Sequence, residues 1–427
     1  YPTTVTASEG FAGYLRDPDF EAILINYRAD VDYDLMDNMP PRSKTQLALR
    51  SMRLEALETW AIPAVVCTAH TVLGLMENYR RGIYAFPSIL RSAFVFDEIH
   101  ALSDKVFGYL CRFLQTFPGA PVLLMTATLP PARIEALKSA CRMRGEIRRI
   151  YGPPEREKAK RYRPSIREIV DAWDQVCEAL ERREKVLWIC NTVRRAIETF
   201  DEALKRGYPV EAFHSRYRYE DRLKRQRAVI DGFAPGKPGM LAVTTQVAEV
   251  SLDISADLLI SDAAPIPAMI QRLGRVNRTD DEPSKVAPAI FMRTESKLPY
   301  NDEQWRGVDE WLELVCDDEP KSQSDLSRAF LATASKYSFA IKRQAISGWL
   351  DGLWKTRCDR SIQEASRTIQ VVREEDFTRG QLERQSIPMN IPRGNEWLQW
   401  RREGLYFISP RGKIIYDELR GAEWKTE

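Results

Sequence analysis

Short, continuous apolar runs alternate with amphipathic stretches over the first 290 residues of the chain. The runs are rich in Val, Ile and Leu, which is typical of parallel strands that are buried on both faces. Amphipathic stretches such as Val106–Phe117 and Arg194–Arg206 lie between them. Alternation on this scale predicts a doubly wound α/β fold. The predicted strands are Ala22–Ile25, Ala64–Thr68, Ala93–Asp97, Pro121–Thr126, Lys185–Cys190, Val210–Phe213, Met240–Thr244 and Asp257–Ser261.

A break at Tyr151–Pro164 divides this alternation into two halves. It combines a Gly-Pro-Pro turn signal with a charged stretch that is almost free of apolar residues. Beyond Arg293 the pattern changes to Trp-rich helical stretches and then to a small strand-rich end. We therefore predict a first α/β domain at residues 1–150, a linker at 151–164, a second α/β domain at 165–295, a helical linker region at 296–370 and a C-terminal domain at 371–427.

Composition excludes several classes of protein. A chain of 427 residues with 44% hydrophobic and 29% charged residues is neither collagen-like nor largely disordered. No apolar run approaches the roughly 18 residues that a membrane-spanning helix needs, so we expect no membrane partner. The seven cysteines show no C-x-x-C spacing, which disfavours a disulfide framework or a zinc site and favours a cytoplasmic protein.

Charge gives no global signal for nucleic acid, because the formal net charge is only +2. Two runs are nevertheless basic: Arg133–Arg163 has eleven Lys and Arg against four acidic residues, and Arg216–Arg227 has six against two. Each run is either a solvated helix face or, if both border one groove, a track for a nucleic-acid backbone.

Two adjacent carboxylates, Asp97 and Glu98, directly follow an apolar strand. Carboxylates at this position lie at the sheet edge where ligands bind in open α/β sheets. There Asp97 can hold Mg²⁺ through water molecules, and Glu98 can polarise the water that attacks a γ-phosphate. The alternative is that Asp97 caps a following helix.

The next predicted strand ends in hydroxyl side chains, Thr126 and Thr128. Such hydroxyls can bond to the carboxylates and relay whether phosphate is present. A Thr-rich turn before two prolines is the alternative interpretation.

Three arginines occur within seven residues in the segment Gln271–Arg278. We expect Arg275 and Arg278 to lie on one face of a helix, since they are about one turn apart. Two guanidinium groups suit a γ-phosphate whose charge spreads in the transition state. The alternative is that the segment, taken alone, is an isolated basic helix.

In this order the segments resemble the motifs of superfamily 2 nucleic-acid helicases. Asp97–His100 resembles motif II, Thr126–Thr128 motif III, Thr245–Asp253 motif V and Gln271–Arg278 motif VI. The last two segments together resemble the CRISPR-associated helicase of type I systems (the Cas-three family). The resemblance covers roughly residues 1–290.

The resemblance implies two tandem RecA-like domains that bind ATP and Mg²⁺ and drive a motor on single-stranded DNA. It implies that Asp97 and Glu98 converge with the arginines in one cleft between the domains. The residues implied in hydrolysis are Asp97, Glu98, His100, Gln271, Arg275 and Arg278, with Asp253 also contacting ATP.

The resemblance also implies DNA contacts and partners. The partners are the non-target DNA strand and a guide-RNA surveillance complex of the Cascade type. The residues implied in DNA binding are Thr3, Thr4, Thr68, Thr192, His214 and Thr245.

Two features of related helicases are not found in this sequence. All three histidines, His70, His100 and His214, fall inside helicase motifs, so an HD nuclease is expected in a missing part or on another polypeptide. No G-x-x-x-x-G-K-[ST] phosphate loop occurs, and we expect it upstream of Tyr1. Without that loop the chain should bind ATP poorly. Two alternatives remain: another superfamily 2 RNA or DNA-repair helicase, and a binding platform that has lost its motor.

Overall fold

The structure is a computed structural model of the chain. It describes residues 7, 11, 22–25, 62–77, 85–126, 128–145, 147–278, 285–294, 296–334, 368–392 and 395–425. The described residues up to Ile150 form one compact unit, and those from Tyr151 onward form a second. No helix among the described residues is long and apolar enough to cross a membrane.

The described residues of the first unit contain two pairs of parallel strands. Strand β1 pairs with β2, and β3 pairs with β4. The strands are β1 (Ala22–Ile25), β2 (Ala64–Cys67), β3 (Phe94–Phe96) and β4 (Val122–Leu124). The helices are α1 (Ala69–Leu73), α2 (Phe86–Arg91), α3 (Asp104–Thr116) and α4 (Pro131–Ala140).

Helix α3 anchors the strand that precedes the carboxylate pair. The helix begins after Ser103, whose hydroxyl oxygen accepts a hydrogen bond from the Val106 amide. Its buried face presents Phe113, whose ring meets those of Phe94 and Phe96 edge-on at centroid distances of 5.0 and 5.8 Å. This aromatic contact fixes the end of β3, where Asp97 follows.

The second unit is built on a six-stranded, wholly parallel sheet in the order β5-β10-β9-β6-β8-β7. Its strands are β5 (Tyr162–Ile166), β6 (Lys185–Ile189), β7 (Val210–Phe213), β8 (Met240–Thr244), β9 (Leu258–Asp262) and β10 (Ala287–Met292). Helices α5 (Pro154–Lys158), α6 (Ile169–Glu181), α7 (Val193–Lys205), α8 (Tyr219–Gly232), α9 (Val247–Ser251) and α10 (Ile266–Leu273) alternate with them.

The central strand β6 is buried along its whole length, as its continuous apolar sequence predicts. Trp188 of this strand packs on Trp173 of α6 at a centroid distance of 4.5 Å. Because all six strands are parallel, the residues that follow β6, β7 and β8 lie at one edge of the sheet.

Two strands, β5 and β10, do not match the sequence expectation. Each contains a proline, Pro164 or Pro288, which lacks the amide hydrogen that a sheet ladder uses. The predicted linker at 151–164 accordingly holds helix α5 and the first three residues of β5.

A helical pair, α11 (Val308–Val315) and α12 (Gln323–Ala334), follows the sheet. The amide of Lys321 donates to the Tyr162 carbonyl oxygen at 2.7 Å, which attaches the pair to the edge strand β5.

Residues 368–392 and 395–425 form the C-terminal module. Its four-stranded sheet has the order β12-β11-β14-β13, and a separate hairpin joins β15 to β16. The elements are β11 (Thr368–Arg373), α13 (Leu382–Gln385), β12 (Ile387–Asn390), β13 (Arg402–Glu403), β14 (Tyr406–Ser409), β15 (Ile414–Asp417) and β16 (Gly421–Trp424).

Candidate functional site

The carboxylate pair lies in a tight turn directly after β3. The Asp97 carboxylate accepts a hydrogen bond from the Glu98 amide at 2.9 Å. Glu98 has a left-handed backbone (φ 49°, ψ 45°), which costs a side chain of this type about 1 kcal/mol or more. Asp97 caps no long helix, because the N-cap of α3 is Ser103. Such a strained backbone is typical of functional turns.

The imidazole of His100 connects this turn to the end of β4. Its Nδ1 lies 3.2 Å from Glu98 Oε2 and 3.1 Å from Thr126 Oγ1. The Thr126 hydroxyl donates its own proton to the Thr128 carbonyl oxygen at 2.9 Å, so it accepts from the imidazole N–H. Burial, and then the nearby Arg133, lowers the pKa of His100 to about 4, which keeps the ring neutral at pH 7.

The prediction that the threonine hydroxyls bond directly to the carboxylates is therefore wrong. Thr126 bonds to His100, and His100 in turn reaches Glu98. Thr128 is buried and takes part through its backbone carbonyl. The imidazole can make this connection because it extends from the turn after β3 toward the end of β4.

Arg133 supports the same turn and was missed by the sequence reading. Its guanidinium donates to the carbonyl oxygens of His100 (3.2 Å) and Leu102 (2.8 Å) and to Asp104 (2.8 Å). It also lies over the Phe107 ring, 4.7 Å from the centroid. Its only sequence signal was its place at the start of the first basic run.

In the second unit a fully buried arginine, Arg272, joins motifs V and VI. Its Nε donates to Glu249 Oε1 at 2.9 Å, and its Nη1 donates to Ser261 Oγ at 2.9 Å. Its Nη2 donates to Asn191 Oδ1 and Tyr300 Oη, both at 3.1 Å. Although burial opposes it, the pKa of Arg272 is raised, with Glu249 the largest favourable cause. The guanidinium thus stays charged.

The hydroxyl of Tyr300 is a further residue that the sequence motifs did not indicate. It accepts from Arg272 and, at 3.4 Å, from Gln246 Nε2. Burial raises the pKa of Tyr300 to about 12, so the phenol remains neutral. Motifs V and VI therefore share one hydrogen-bond network with a residue outside both.

The predicted helical face for Arg275 and Arg278 is wrong. Helix α10 ends at Leu273, and the following residues form turns and a parallel bridge between Ala256 and Val276. Arg275 Nη2 donates to the Glu249 carbonyl oxygen at 2.6 Å, whereas Arg278 pairs with Asp253 at 3.4 Å. The backbone turns because Ala256 exchanges hydrogen bonds with Arg275 and Asn277.

The other residues that the family resemblance implies in ATP binding and hydrolysis lie in different environments. Asp253 is strongly exposed, with 84% of its side-chain surface accessible. Gln271 lies in α10 beside Arg272 and is half-buried. Asp97 and Glu98 belong to the first unit, and these residues belong to the second.

Two of the implied DNA-binding threonines lie where strand ends meet helix starts. Thr68 precedes α1 and is half-buried, with its hydroxyl 3.2 Å from that of Thr71. Thr192 is the N-cap of α7, and its hydroxyl oxygen accepts from the Arg195 amide at 3.3 Å. Thr3 and Thr4 lie outside the described residues.

The side chains of His214 and Thr245 are buried, with 0% and 2% of their surface exposed. A side chain without exposed surface cannot contact nucleic acid, so we correct both predictions. His214 instead stacks on Tyr217 at 4.4 Å, and its Nδ1 accepts from the Arg216 amide at 3.3 Å. The segments that carry these residues, and not their side chains, remain candidates.

The sequence and the fold of this chain are similar to those of known proteins. The family model described as CRISPR-associated nuclease/helicase Cas3, C-terminal, matches residues 182–281. A putative CRISPR-associated nuclease/helicase Cas3 of Myxococcus xanthus is 40% identical over 100% of this chain and 58% of its own length. The CRISPR-associated endonuclease/helicase Cas3 of Escherichia coli is 27% identical over 50% of this chain and 28% of its own length. The chain thus spans little more than half of the Myxococcus relative.

Solved structures share the fold. The crystal structure of T. fusca Cas3-AMPPNP has a TM-score of 0.71 at 15% identity and covers 99% of this chain and 64% of that one. A chain of a CRISPR RNA-guided surveillance complex, pre-nicking, has a TM-score of 0.60 at 16% identity and covers 99% of this chain and 70% of that one. The α/β fold with RecA-like domains is confirmed. With the family match and the similarity along its whole length to the Myxococcus protein, the chain belongs to the Cas3 family of CRISPR-associated helicases.

Proposed function

We propose that this chain is the motor part of an ATP-dependent helicase that moves on single-stranded DNA in a type I CRISPR interference system. The observation that carries the proposal is the connection from Glu98 to His100, a contact of 3.2 Å, and from His100 to Thr126, a hydrogen bond of 3.1 Å. It links a candidate hydrolytic carboxylate to the end of the neighbouring strand. A platform that only binds nucleic acid has no need of such a link.

Glu98 is suited to accept a proton from the water that attacks the γ-phosphate. Its side chain is 31% exposed, and its Oε2 is held 3.2 Å from His100 Nδ1. The neutral imidazole, whose Nδ1 proton is directed to Thr126, lies against the carboxylate without removing its negative charge. Glu98 thereby keeps one orientation and the ability to take up a proton.

Asp97 fits the requirements of Mg²⁺. The ion prefers oxygen ligands and retains several water molecules. The Asp97 carboxylate is half-buried at the strand end, and the bond from the Glu98 amide fixes its direction. Asp97 would hold the ion through its waters, and a bound ion would neutralise phosphate charge.

Arg275 and Arg278 are our candidates for neutralising charge on the γ-phosphate. Arg272 holds the Glu249 side chain, and the Glu249 carbonyl oxygen holds Arg275. Arg272 is therefore a positioning residue. Because the printed sequence contains no G-x-x-x-x-G-K-[ST] segment, we expect this chain alone to bind ATP weakly.

We also propose that the protein acts with a Cascade-type guide-RNA surveillance complex on the non-target strand. The structural similarity to a chain of such a complex supports this partner. An HD nuclease from a further segment or another polypeptide would cut the DNA, since the three histidines occupy separate helicase motifs. Degradation of DNA by this purified chain with Mn²⁺, Co²⁺ or Ni²⁺ would contradict that part.

The decisive experiment is Glu98→Gln in the complete gene product. We expect ATP hydrolysis stimulated by single-stranded DNA to fall at least about 100-fold, because a general base contributes 10²–10⁴-fold. DNA affinity should stay within about twofold, since the change leaves the DNA-contact segments intact. Phosphate release and oligonucleotide anisotropy measure the two quantities.

The matched control is Glu135→Gln. This glutamate is exposed on α4 and pairs only with its neighbour Lys138 at 2.6 Å, so hydrolysis should be unchanged. Near-wild-type ATP turnover by the Glu98→Gln variant would show that Glu98 does not take part in the reaction. Stimulation by RNA but not DNA would favour the alternative superfamily 2 RNA helicase.

A further inference from the structure

The hairpin of β15 and β16 rests on the segment that follows β7. The Ala422 amide donates to the Arg216 carbonyl oxygen at 2.7 Å. Gly421 (φ +78°) approaches so closely that a Cβ atom would stand 2.6 Å from that oxygen and 2.9 Å from His214 Cε1. Any side chain at this position would therefore separate the hairpin from the segment.

Two tyrosines extend the contact. The Tyr217 hydroxyl donates to the Leu419 carbonyl oxygen at 2.6 Å. The Tyr416 hydroxyl donates to Asp221 at 2.6 Å and accepts from the Arg218 amide at 3.2 Å. The hairpin thus bonds to the backbone of the segment and to the first turn of α8.

The basic run Arg216–Arg227 supplies the charged part of this interface. The Arg218 guanidinium makes two bonds to Asp376, at 2.7 and 3.1 Å, and lies 4.2 Å from the Tyr416 ring centroid. Arg225 donates to a backbone carbonyl of the turn before β16. From the other side, Arg420 pairs with Asp201 at 2.7 Å. Two arginines of the run therefore serve docking and are neither a solvated face nor a DNA track.

We infer that the C-terminal module positions residues 213–219 for single-stranded DNA binding by the second RecA-like domain. The inference rests on the proposed function. Residues 213–219 connect the end of β7 to the start of α8, and Thr192 follows β6, so both lie at the same edge of the parallel sheet. A strand that crosses this edge meets both.

The physical basis is conformational entropy. Each residue that must be ordered on binding adds a cost in conformational entropy. The docked hairpin orders the segment before DNA arrives, with its buried side facing the module and the half-buried Ser215 remaining accessible. If the hairpin were undocked, the segment would be ordered only when DNA binds, and this entropy cost would weaken the affinity for DNA.

The test compares Gly421→Ala with Gly412→Ala. Both glycines have left-handed backbones, with φ of +78° and +74°, so the local strain of the two changes is similar. A Cβ atom at Gly412 meets nothing within 4 Å, whereas at Gly421 it collides with the segment. We expect Gly421→Ala to weaken binding of an oligonucleotide about tenfold and to speed amide exchange in residues 213–219. Gly412→Ala should match the wild type in both.

Tyr416→Phe is the second variant, in case Gly421→Ala fails to fold. It removes the bonds to Asp221 and Arg218 and keeps the ring beneath Arg218. We expect a smaller loss of affinity, about threefold, with faster exchange in the same segment. If either variant shows faster amide exchange in residues 213–219 but unchanged affinity for the oligonucleotide, the inference is overturned and the proposed function is not. Wild-type protein that does not bind single-stranded DNA would overturn the proposed function, and this inference with it.

Discussion

His100 Nδ1 lies 3.1 Å from Thr126 Oγ1, and this hydrogen bond joins the turn after β3 to the end of β4. The same nitrogen lies 3.2 Å from Glu98 Oε2. A displacement at the end of β4 therefore changes the support of the candidate general base. Two neighbouring strand ends are in this way connected through one neutral ring.

Replacing Thr126 with valine removes the hydrogen-bond acceptor of His100 and keeps the shape of the side chain. We expect the ratio of DNA-stimulated to unstimulated ATP hydrolysis to fall about tenfold, as measured by phosphate release in the complete gene product. Thr116→Val is the control, because the Thr116 hydroxyl bonds only to the Arg112 carbonyl oxygen within α3. An unchanged ratio in Thr126→Val would show that the link carries no coupling.

Replacing Arg272 with methionine should destabilise the second unit by about 3–5 kcal/mol. The change leaves the Glu249 carboxylate and the oxygens of Ser261 and Asn191 without their buried donor. Urea unfolding followed by tryptophan fluorescence measures the loss. Arg194→Met, which breaks only an exposed pair with Glu198, should cost no more than about 1 kcal/mol. Equal effects of the two changes would exclude a structural role for the Arg272 network.

The free energy of unfolding should decrease as the pH is lowered, because His214 is buried in its neutral form. Burial, with help from Arg216 and Arg225, lowers its pKa to about 3, whereas in the unfolded chain it is near 6.5. Between these values the unfolded state binds more protons, so its free energy falls relative to the folded state as pH decreases. The contribution is complete above pH 6.5 and declines by up to about 3 kcal/mol by pH 4.

His214→Phe isolates this effect, because phenylalanine can keep the stacking on Tyr217 and does not titrate. The difference in unfolding free energy between the wild type and the variant should change across pH 6.5 to 4 and be constant above. A difference that is flat over the whole range would mean that His214 is solvated in the folded protein.

Thr192 offers a separate test of the DNA-contact edge. Thr192→Ala should weaken binding of single-stranded DNA severalfold and destabilise α7 by about 1 kcal/mol, since the helix loses its cap. Thr192→Ser retains the hydroxyl and should restore both. Binding by the wild type should also weaken as salt rises. If serine restores stability without restoring affinity, the hydroxyl is a cap and not a DNA contact.

Local sequence patterns predicted where the carboxylate pair lies in the fold. Phe94 and Phe96 form a continuous apolar run, so the position of Asp97 at a strand end followed from the sequence alone. The helix expected for Arg275 and Arg278 failed because a non-local bridge to Ala256 bends the chain after α10. Helical periodicity carries no information about such a bridge.

Local sequence patterns also could not predict the environment of His214. Its motif suggested a DNA contact, but the hairpin that covers it lies about 200 residues later in the chain. Arg133 and Tyr300 were missed for a related reason, since each acts on backbone or side chains distant in sequence. Partners of this kind become visible only when the strand order is known.

The bond from the Ala422 amide to the Arg216 carbonyl oxygen sets an order of events during protein synthesis. Synthesis proceeds at about 5–20 residues per second, so the segment after β7 waits roughly 10–40 seconds for its hairpin. During that interval the aromatic ring of Tyr217 and the imidazole of His214 lack their cover. The nascent chain therefore exposes these two rings on its second domain until the hairpin has been synthesised.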